Sequence, residues 1–279
     1  MKKVQQKFLF EDYEINSIAS LIDRLKSDKE QLFLNYNYIP KIWFRGLKDI
    51  KRQILPTFYV ENYKIKDEIY MMNLFKQNSH ELINQTPKNE WEWMFLMRHY
   101  KLPSRLIDWT ENPLIGLYFA VCMRESEKIP TTDGVFWCLL PVHLNNWALA
   151  WPNDDNHLPM FTENKTEYSS PENETISLYL PSSVQNVTSK EINMRPPAAG
   201  ICPRTNQRMQ AQFSVFTIHH ANKIPLESAG DGTHIWRYRI PAGSKDAILN
   251  DLKIMGISKR TIFPELDNVS LEVCEYLRG

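Results

Sequence analysis

Apolar residues recur at the spacing of an α-helix in several stretches of the chain, and most of these stretches follow a residue suited to capping a helix. After Ser17, the apolar residues Ile18 and Leu25 share one helical face. Asn112 is followed by Pro113, and proline is favoured at the first position of a helix. The pattern predicts helices that begin near Ser17, Ile65, Asn89, Asn112 and Ser244, and a last helix after Phe263-Pro264.

Shorter apolar runs and alternating patterns predict β-strands between the helices. Residues 135–140 are continuously apolar, which is typical of a strand buried on both faces. Residues 208–218 alternate, so Arg208, Gln210 and Gln212 are predicted to share one strand face. The other predicted strands are residues 39–44, 105–109 and 235–240, with a short one at 177–180. Because strands and helices interleave without regular βαβ units, we predict an α+β domain with a mixed central sheet flanked by helices.

Residues 152–206 form a polar excursion, in which neither the helical nor the strand period is sustained. Loops of this length are uncommon inside a compact domain and are usually functional, disordered or inserted. A chain of 279 residues suits one large domain or two small ones. We predict a single domain over residues 1–279, with the excursion covering one end of the sheet.

Charge and cysteine content narrow the classes of protein. The chain has 33 basic and 33 acidic side chains, so no overall field directs it to nucleic acid or to an anionic membrane. The longest apolar run, residues 114–123, is too short to cross a bilayer. The four cysteines are scattered, and the first residues lack the apolar run of a secretory signal. These features predict a cytoplasmic protein with no membrane partner.

Residues 96–121 hold two charged side chains in apolar surroundings. Arg105 and Asp108 are three positions apart on a predicted strand, so they point to opposite faces, and each needs its own partner or a ligand. Asp108 is a candidate base or ribose ligand, but a role as a cap for the helix after Asn112 is an equal alternative. Thr110 likewise suits either a ligand contact or the loop before that helix.

Several motifs resemble the FRG domain, a family named for a Phe-Arg-Gly motif. The matching residues are Trp43-Phe44-Arg45-Gly46, Leu55-Pro56, the stretch from Met97 to Pro113, Leu117-Tyr118-Phe119-Ala120 and Asp133-Gly134-Val135-Phe136-Trp137. Residues 208–213 and 262–267 extend the resemblance, which covers residues 15–275 apart from the excursion. The third block differs from the family, because Gln210-Ala211-Gln212 stands where the family tends to have Gln-Gln-Gly.

The order of these blocks also resembles that of the ADP-ribosyltransferases, which carry three motifs on a split sheet. This resemblance implies that Arg45 holds nicotinamide adenine dinucleotide (NAD) and that Asp108-Trp109-Thr110 forms the second motif. Residues 208–213 would form the third motif, with glutamine in place of the catalytic glutamate. The implied fold is ADP-ribosyltransferase-like, with a mixed or split central sheet.

The missing glutamate affects the chemistry that this resemblance implies. Breaking the bond to nicotinamide passes through an oxocarbenium-like state, which a nearby carboxylate stabilises. Glutamine hydrogen-bonds a ribose hydroxyl but supplies no negative charge. Three alternatives stay open: Asp108 or Glu265 provides the carboxylate, turnover is weak, or the pocket only binds its ligand.

The candidate site follows from these resemblances. The predicted catalytic residues are Gln212, Gln210, Asp108 and Thr110, and the predicted ligand-binding residues are Arg45, Gly46, Arg105, Trp109, His99 and Tyr100. Structural roles compete with these: Arg45 in a buried ion pair with Asp108 or Glu265, Trp109 in the core, and His99 satisfied by backbone at a helix end. The histidines show no metal-binding spacing, so no metal is predicted.

The leading hypothesis is an ADP-ribosyltransferase-like enzyme that uses NAD to modify a nucleic acid or a protein. A toxin or phage-defence setting is implied by the family resemblance alone. The alternative is a non-catalytic module that recognises a nucleotide or nucleic acid through Arg45, the basic residues 48–52 and Trp109. A nuclease is disfavoured, because no constellation of Asp, Glu and His residues for two metal ions stands out.

Overall fold

The computed structural model describes residues 8–83, 85–123, 130–148, 157–161, 176–185 and 195–278. These residues form a mixed α/β structure with a seven-stranded sheet flanked by helices. The strands are β1 (Tyr13–Glu14), β2 (Trp43–Leu47), β3 (Leu106–Thr110), β4 (Gly134–Leu139), β5 (Ala198–Gly200), β6 (Ser214–Ile218) and β7 (Ile235–Ile240). The helices before the excursion are α1 (Ile18–Tyr36), α2 (Thr57–Val60), α3 (Ile65–Ser79), α4 (Glu90–His99), α5 (Pro113–Val121) and α6 (Pro141–Ala148). The later ones are α7 (Pro181–Gln185), α8 (Gln207–Ala211), α9 (Lys245–Ile254), α10 (Lys259–Ile262) and α11 (Leu266–Arg278).

The sheet is mixed, as the interleaved pattern predicts. Its strand order is β1-β7-β4-β2-β3-β6-β5. β1 pairs with β7 in parallel, and the other neighbouring strands pair antiparallel. Among the described residues, no helix is long and apolar enough to span a membrane.

The ladder between β2 and β3 is much shorter than its neighbours. These two strands pair at one position, Phe44 opposite Thr110. By contrast, β2 pairs with β4 from Trp43 to Leu47, and β3 pairs with β6 from Leu106 to Thr110. The two central strands therefore diverge beyond one shared position, which leaves room for side chains in the middle of the sheet.

Local capping chemistry explains where several helices begin. The side chains of Ser17 and Asn89 accept hydrogen bonds from the first-turn backbone of α1 and α4, as their sequence context predicts. Asn112 accepts from the Leu114 N–H at 2.9 Å, and Pro113 occupies the first position of α5. Asp108 does not cap this helix, since Asn112 does so.

Two faces of the sheet bury separate clusters of apolar side chains. Phe44, Phe136 and Tyr238 face α1, α5 and α9, whereas Trp43 and Trp137 lie in a cluster on the opposite face. The alternation of inward and outward positions along β2 and β4 produces this division, because successive residues of a strand point to opposite faces. The face that meets α5 is the one on which the candidate site lies.

The prediction of a strand over residues 208–218 is wrong in its first half. Residues 207–211 form helix α8, because the side chain of Asn206 accepts from the Met209 N–H at 2.9 Å and starts a helical turn. Phe213 then adopts a φ of +47°, and the strand begins at Ser214. Arg208, Gln210 and Gln212 consequently do not share a strand face.

Two smaller predictions also need correction. The strand predicted at 39–44 begins at Trp43 and extends to Leu47. The strand predicted at 177–180 is instead a pair of turns, in which the N–H groups of Tyr179 and Leu180 donate to carbonyls three residues earlier.

The described parts of the polar excursion are integrated into the fold. β5 adds an edge strand beside β6, and Phe161, Ile176 and Tyr179 are buried beneath α4 and α3. The rest of the excursion lies outside the described residues. The single domain over residues 1–279 stays a prediction.

Candidate functional site

A cavity of about 440 Å³ lies on the α5 face of the sheet, where β2 and β3 diverge. Its polar and charged lining residues are Arg45, Thr57, Arg98, His99, Lys101, Asp108, Thr110, Arg208, Gln212 and Ser214. Its other lining residues are Phe44, Gly46, Phe95, Trp109, Met209, Phe119, Phe216 and Phe263. This volume is within the range of pockets that bind small molecules.

The floor of the cavity is formed by alternate residues of β3 and β6. Asp108 lies opposite Phe216, and Thr110 lies opposite Ser214. These four residues share a sheet face because each pair is in register and the two pairs are separated by one position. The Thr110 hydroxyl donates to the Gln212 carbonyl at 2.7 Å and accepts from the Asn112 N–H at 3.0 Å, so both of these contacts hold the loop before α5.

Two arginines converge on Asp108. The Arg98 Nε donates to the Asp108 carboxylate at 3.0 Å, and the Arg98 Nη2 binds the same oxygen. The Arg45 Nη1 donates to the backbone carbonyl of Asp108, while the Arg45 Nε has no hydrogen-bond partner in the part of the chain that the structure describes. The ion pair predicted as an alternative for Arg45 is therefore not with this carboxylate, which binds Arg98 instead, nor with Glu265, which binds Arg208.

These contacts set the charge states of the floor. Burial acts to raise the pKa of Asp108, but the Arg98 charge and hydrogen bonds, together with the Arg45 charge, outweigh it and hold that pKa below its usual value. Burial lowers the pKa of Arg45 to about 10, which still leaves it a cation at neutral pH. The cavity thus presents one ionised carboxylate between two guanidinium groups.

Aromatic side chains form two walls of the cavity. On the α4 side, the Phe95 ring lies 4.9 Å from the ring of the floor residue Phe216. On the α5 side, the Phe119 ring meets the Phe263 ring edge-on at 5.9 Å. The cavity therefore combines a charged floor with two apolar surfaces that suit flat ring systems.

A third arginine, Arg208, connects the end of α4 to the segment before α11 at the cavity. The Arg208 Nη1 donates to the His99 carbonyl at 3.1 Å, and its Nε donates to the Glu265 carboxylate at 2.6 Å. Burial and the nearby Arg208 charge lower the pKa of His99, so its imidazole is neutral at pH 7. The His99 Nδ1 is buried without a hydrogen-bond partner in the described residues.

The structure brings together seven of the ten residues predicted for the site. Arg45, Gly46, His99, Asp108, Trp109, Thr110 and Gln212 all line the cavity. Trp109 points mainly to the opposite face of the sheet, where its Nε1 donates to Thr217 at 3.0 Å. The side-chain amide of Gln212 donates to the Ile262 carbonyl at 3.2 Å.

The other three predicted residues lie outside the cavity. Gln210 is exposed on α8, and the Tyr100 side chain is exposed at the end of α4. Arg105 is fully buried, with its Nε 2.6 Å from Glu68 and its two Nη atoms donating to the carbonyls of His219 and Tyr179. The prediction that Arg105 and Asp108 take different partners is confirmed.

Several lining residues were not predicted for the site. Arg98 is within the motif stretch, but only the fold reveals that the end of α4 turns its side chain onto the strand ten residues later. Phe119 and Phe263 are far apart in sequence and read equally well as core residues. Among the described residues, no group of three or more His, Cys, Asp or Glu side chains is arranged to hold a metal ion.

A scan against family models matched the FRG domain at residues 40–128. Searches of curated proteins and of solved structures found no match for the chain. The matched segment holds Arg45, Arg98 and Asp108, together with the Phe119 wall, whereas Arg208 and Phe263 lie beyond it.

Proposed function

Since residues 40–128 are an FRG domain, and since that domain contains the paired arginines and the ionised Asp108, we propose that the cavity binds NAD. On this proposal the protein is an ADP-ribosyltransferase-like enzyme that transfers ADP-ribose to a nucleic acid or a protein. The observation that carries it is the arrangement of Arg45 and Arg98 around Asp108, together with two aromatic walls. The divergence of β2 and β3 is the counterpart of a split sheet in this reading.

The arginines support binding of the diphosphate. A guanidinium group binds phosphate oxygens through paired N–H donors. The Arg45 Nε has no partner among the described residues, and Arg45 lines the cavity beside Arg98. Lys101, whose side chain is exposed, adds a further cation at the rim.

The aromatic walls support binding of the two ring systems of a dinucleotide. One ring system would pack against Phe95 and Phe216, and the other against Phe119 and Phe263. Stacking and edge-on contacts of this kind favour flat heterocycles. A ligand with rings at both ends and phosphates between them therefore matches the distribution of apolar and charged groups in the cavity.

Asp108 is the residue that we assign to the chemistry. When the C–N bond to nicotinamide breaks, nicotinamide leaves with the bonding electrons and positive charge develops on the ribose. An ionised carboxylate stabilises that charge, whereas Gln212 supplies none. The acceptor, or water, then attacks the same carbon and releases its proton. Asp108 thus takes the part that glutamate has in the family that the motifs resemble.

We propose the cytoplasm as the compartment and a toxin or phage-defence setting, both on the sequence and its family resemblance. The four cysteines are free thiols, which suits a reducing compartment.

The direct test is nicotinamide release from NAD by the purified protein, alone and with DNA, RNA or protein extract. We expect release by the wild type and a loss of about a hundredfold or more in Asp108→Asn, because one charged transition-state contact is removed. Arg45→Ala should bind NAD less tightly. Arg237→Ala is the matched control, since Arg237 lies on β7, pairs with Asp12 and does not line the cavity, and it should retain full activity.

No release by the folded wild-type protein in any of these mixtures would contradict the enzymatic proposal. So would release that Asp108→Asn leaves unchanged.

The second candidate is a non-catalytic module that binds a nucleotide or nucleic acid. One observation favours it: Asp108 is the sole acidic residue among the described lining residues, and its carboxylate already binds Arg98. A module of this kind would bind NAD or a nucleotide without turnover. If it binds nucleic acid, its affinity should fall steeply as salt rises.

A further inference from the structure

Residues beyond the FRG domain form one wall of the cavity and fasten it to the rest of the molecule. Phe263 lines the cavity and meets the Phe119 ring edge-on at 5.9 Å. The Arg208 guanidinium lies over the Phe263 ring, 5.3 Å from the ring centre. Phe263 is only partly buried, so this wall is also part of the molecular surface.

Two polar contacts hold this wall in place. The Arg208 Nε donates to the Glu265 carboxylate at 2.6 Å, and the Gln212 side-chain amide donates to the Ile262 carbonyl at 3.2 Å. We call Arg208, Gln212, Phe263 and Glu265 the C-terminal clasp. Because Arg208 also donates to the His99 carbonyl, the clasp connects α4, α8 and the segment before α11 across one side of the cavity.

Helix α11, which follows the clasp, adds little to its own attachment. None of its side chains that the structure describes is buried, and Leu266 and Leu277 are 85% and 79% exposed. Helix α9, by contrast, buries Ile248 and Leu252 completely. Since burial of apolar surface is the main source of tertiary stability, the described side chains of α11 attach it weakly, and the clasp and the Arg260–Glu272 ion pair help to keep it in position.

The residue that precedes Phe263 is held firmly in the core. Ile262 is 1% exposed and belongs to the cluster on the α5 face of the sheet. The chain therefore changes from a buried residue to a weakly held segment at one junction, between Ile262 and Phe263. Phe263 packs against the same cluster but is only partly buried, so movement about that junction would detach the Phe263 ring while Ile262 stays buried.

We propose that residues 263–278 are a hinged cover of the cavity, which opens when the C-terminal clasp is released and so controls access to the floor. The Arg208–Glu265 and Arg260–Glu272 ion pairs, which join residues 263–278 to the rest of the molecule, are both partly exposed and weak enough for the cover to open reversibly in the folded protein. The proposal holds for any ligand of the cavity.

Access to the cavity is measured by the reactivity of a thiol placed on its floor. Ser214 lines the cavity and is 4% exposed, and Ser214→Cys is a change of similar size. The substitution is made in a protein whose Cys122, Cys202 and Cys274 are replaced by serine, while the fully buried Cys138 is kept. The rate of modification by a maleimide then reports opening of the cover.

We expect Glu265→Gln to raise this rate by about fivefold, which is the most that one partly exposed ion pair is worth. Phe263→Ala should raise it by about tenfold or more, because an apolar contact of the cover is lost. Arg237→Gln is the control: it breaks the partly exposed Arg237–Asp12 pair, which involves neither a lining residue of the cavity nor residues 263–278, and should leave the rate unchanged.

Amide hydrogen exchange in the unaltered protein provides a second measurement of cover opening, which needs no variant. Residues 266–278 should exchange about a hundredfold or more faster than residues 106–110, because local opening releases the helix alone. Equal protection of the two segments would overturn the proposal. So would thiol rates that Glu265→Gln and Phe263→Ala both leave at the reference value.

Discussion

Replacing Arg105 with methionine is expected to lower the free energy of unfolding by about 3–5 kcal/mol, the cost of breaking a buried ion pair. Arg105 and Glu68 are both fully buried, and the Arg105 Nε lies 2.6 Å from the Glu68 carboxylate. The variant leaves the Glu68 charge without its partner in a site closed to water. It also removes the donors that satisfy the carbonyls of His219 and Tyr179.

Urea denaturation of the wild type and Arg105→Met measures this effect. The matched control is Arg260→Met, which removes a half-exposed pair with Glu272 and should cost less than about 1 kcal/mol. Arg105→Lys should fall between the two, because the charge is kept but the three-way donor geometry is lost. A cost for Arg105→Met as small as that of the control would contradict the structural role.

Replacing Gly46 with alanine is expected to destabilise the fold by about 3 kcal/mol or more, at the upper end of the usual cost of overpacking. A Cβ at this position would lie 2.1 Å from the Gly116 carbonyl oxygen and 2.3 Å from the Ala120 N. Both atoms belong to the backbone of α5, so no side-chain rotation relieves the clash. Strand β2 or helix α5 must move, and the wall that carries Phe119 would move with the helix.

Thermal or urea unfolding of Gly46→Ala checks this expectation. Gly243→Ala is the control, because a Cβ at Gly243 would meet no atom within 4 Å, and its stability should match the wild type. A Gly46→Ala protein as stable as the control would show that the close approach of β2 and α5 is not required.

This result bears on how the Phe-Arg-Gly motif is understood. The sequence predicts that Gly46, like Arg45, contacts the ligand. Arg45 does line the cavity, and its Nε has no hydrogen-bond partner among the described residues, whereas the close contacts of Gly46 are with α5. Loss of activity in a Gly46 variant would therefore have to be separated from loss of the fold before a role in binding is assigned.

The features that sequence predicted well depend on short-range chemistry. Ser17, Asn89 and Asn112 cap their helices through bonds to residues two or three positions on, so the signal is contained within one turn. Residues 235–240 form a strand as their pattern predicts. Asp108 and Arg105 were recognised as charges that need separate partners, because burial of an unpaired charge is costly wherever it occurs.

The features that sequence missed depend on competition or distance. Alternation over residues 208–213 favoured a strand, but the Asn206 cap favoured a helical turn, and the cap prevailed over so short a pattern. The partner of Asp108 is at the end of the preceding helix, and Phe263 reaches the cavity from more than 140 positions beyond Phe119. Contacts of this kind arise from the path of the chain rather than from any local pattern.

The pairing of β7 with β1 and β4 also has a consequence for synthesis of the protein. Tyr13 pairs with Tyr238, and β4 pairs along its whole length with β7. Until residue 240 has left the ribosome, the six buried residues of β4 lack one of their two neighbours. The nascent chain must keep that apolar edge from other chains while residues 140–240 are synthesised. The sheet is therefore completed late, and contacts so distant in sequence make for slow folding.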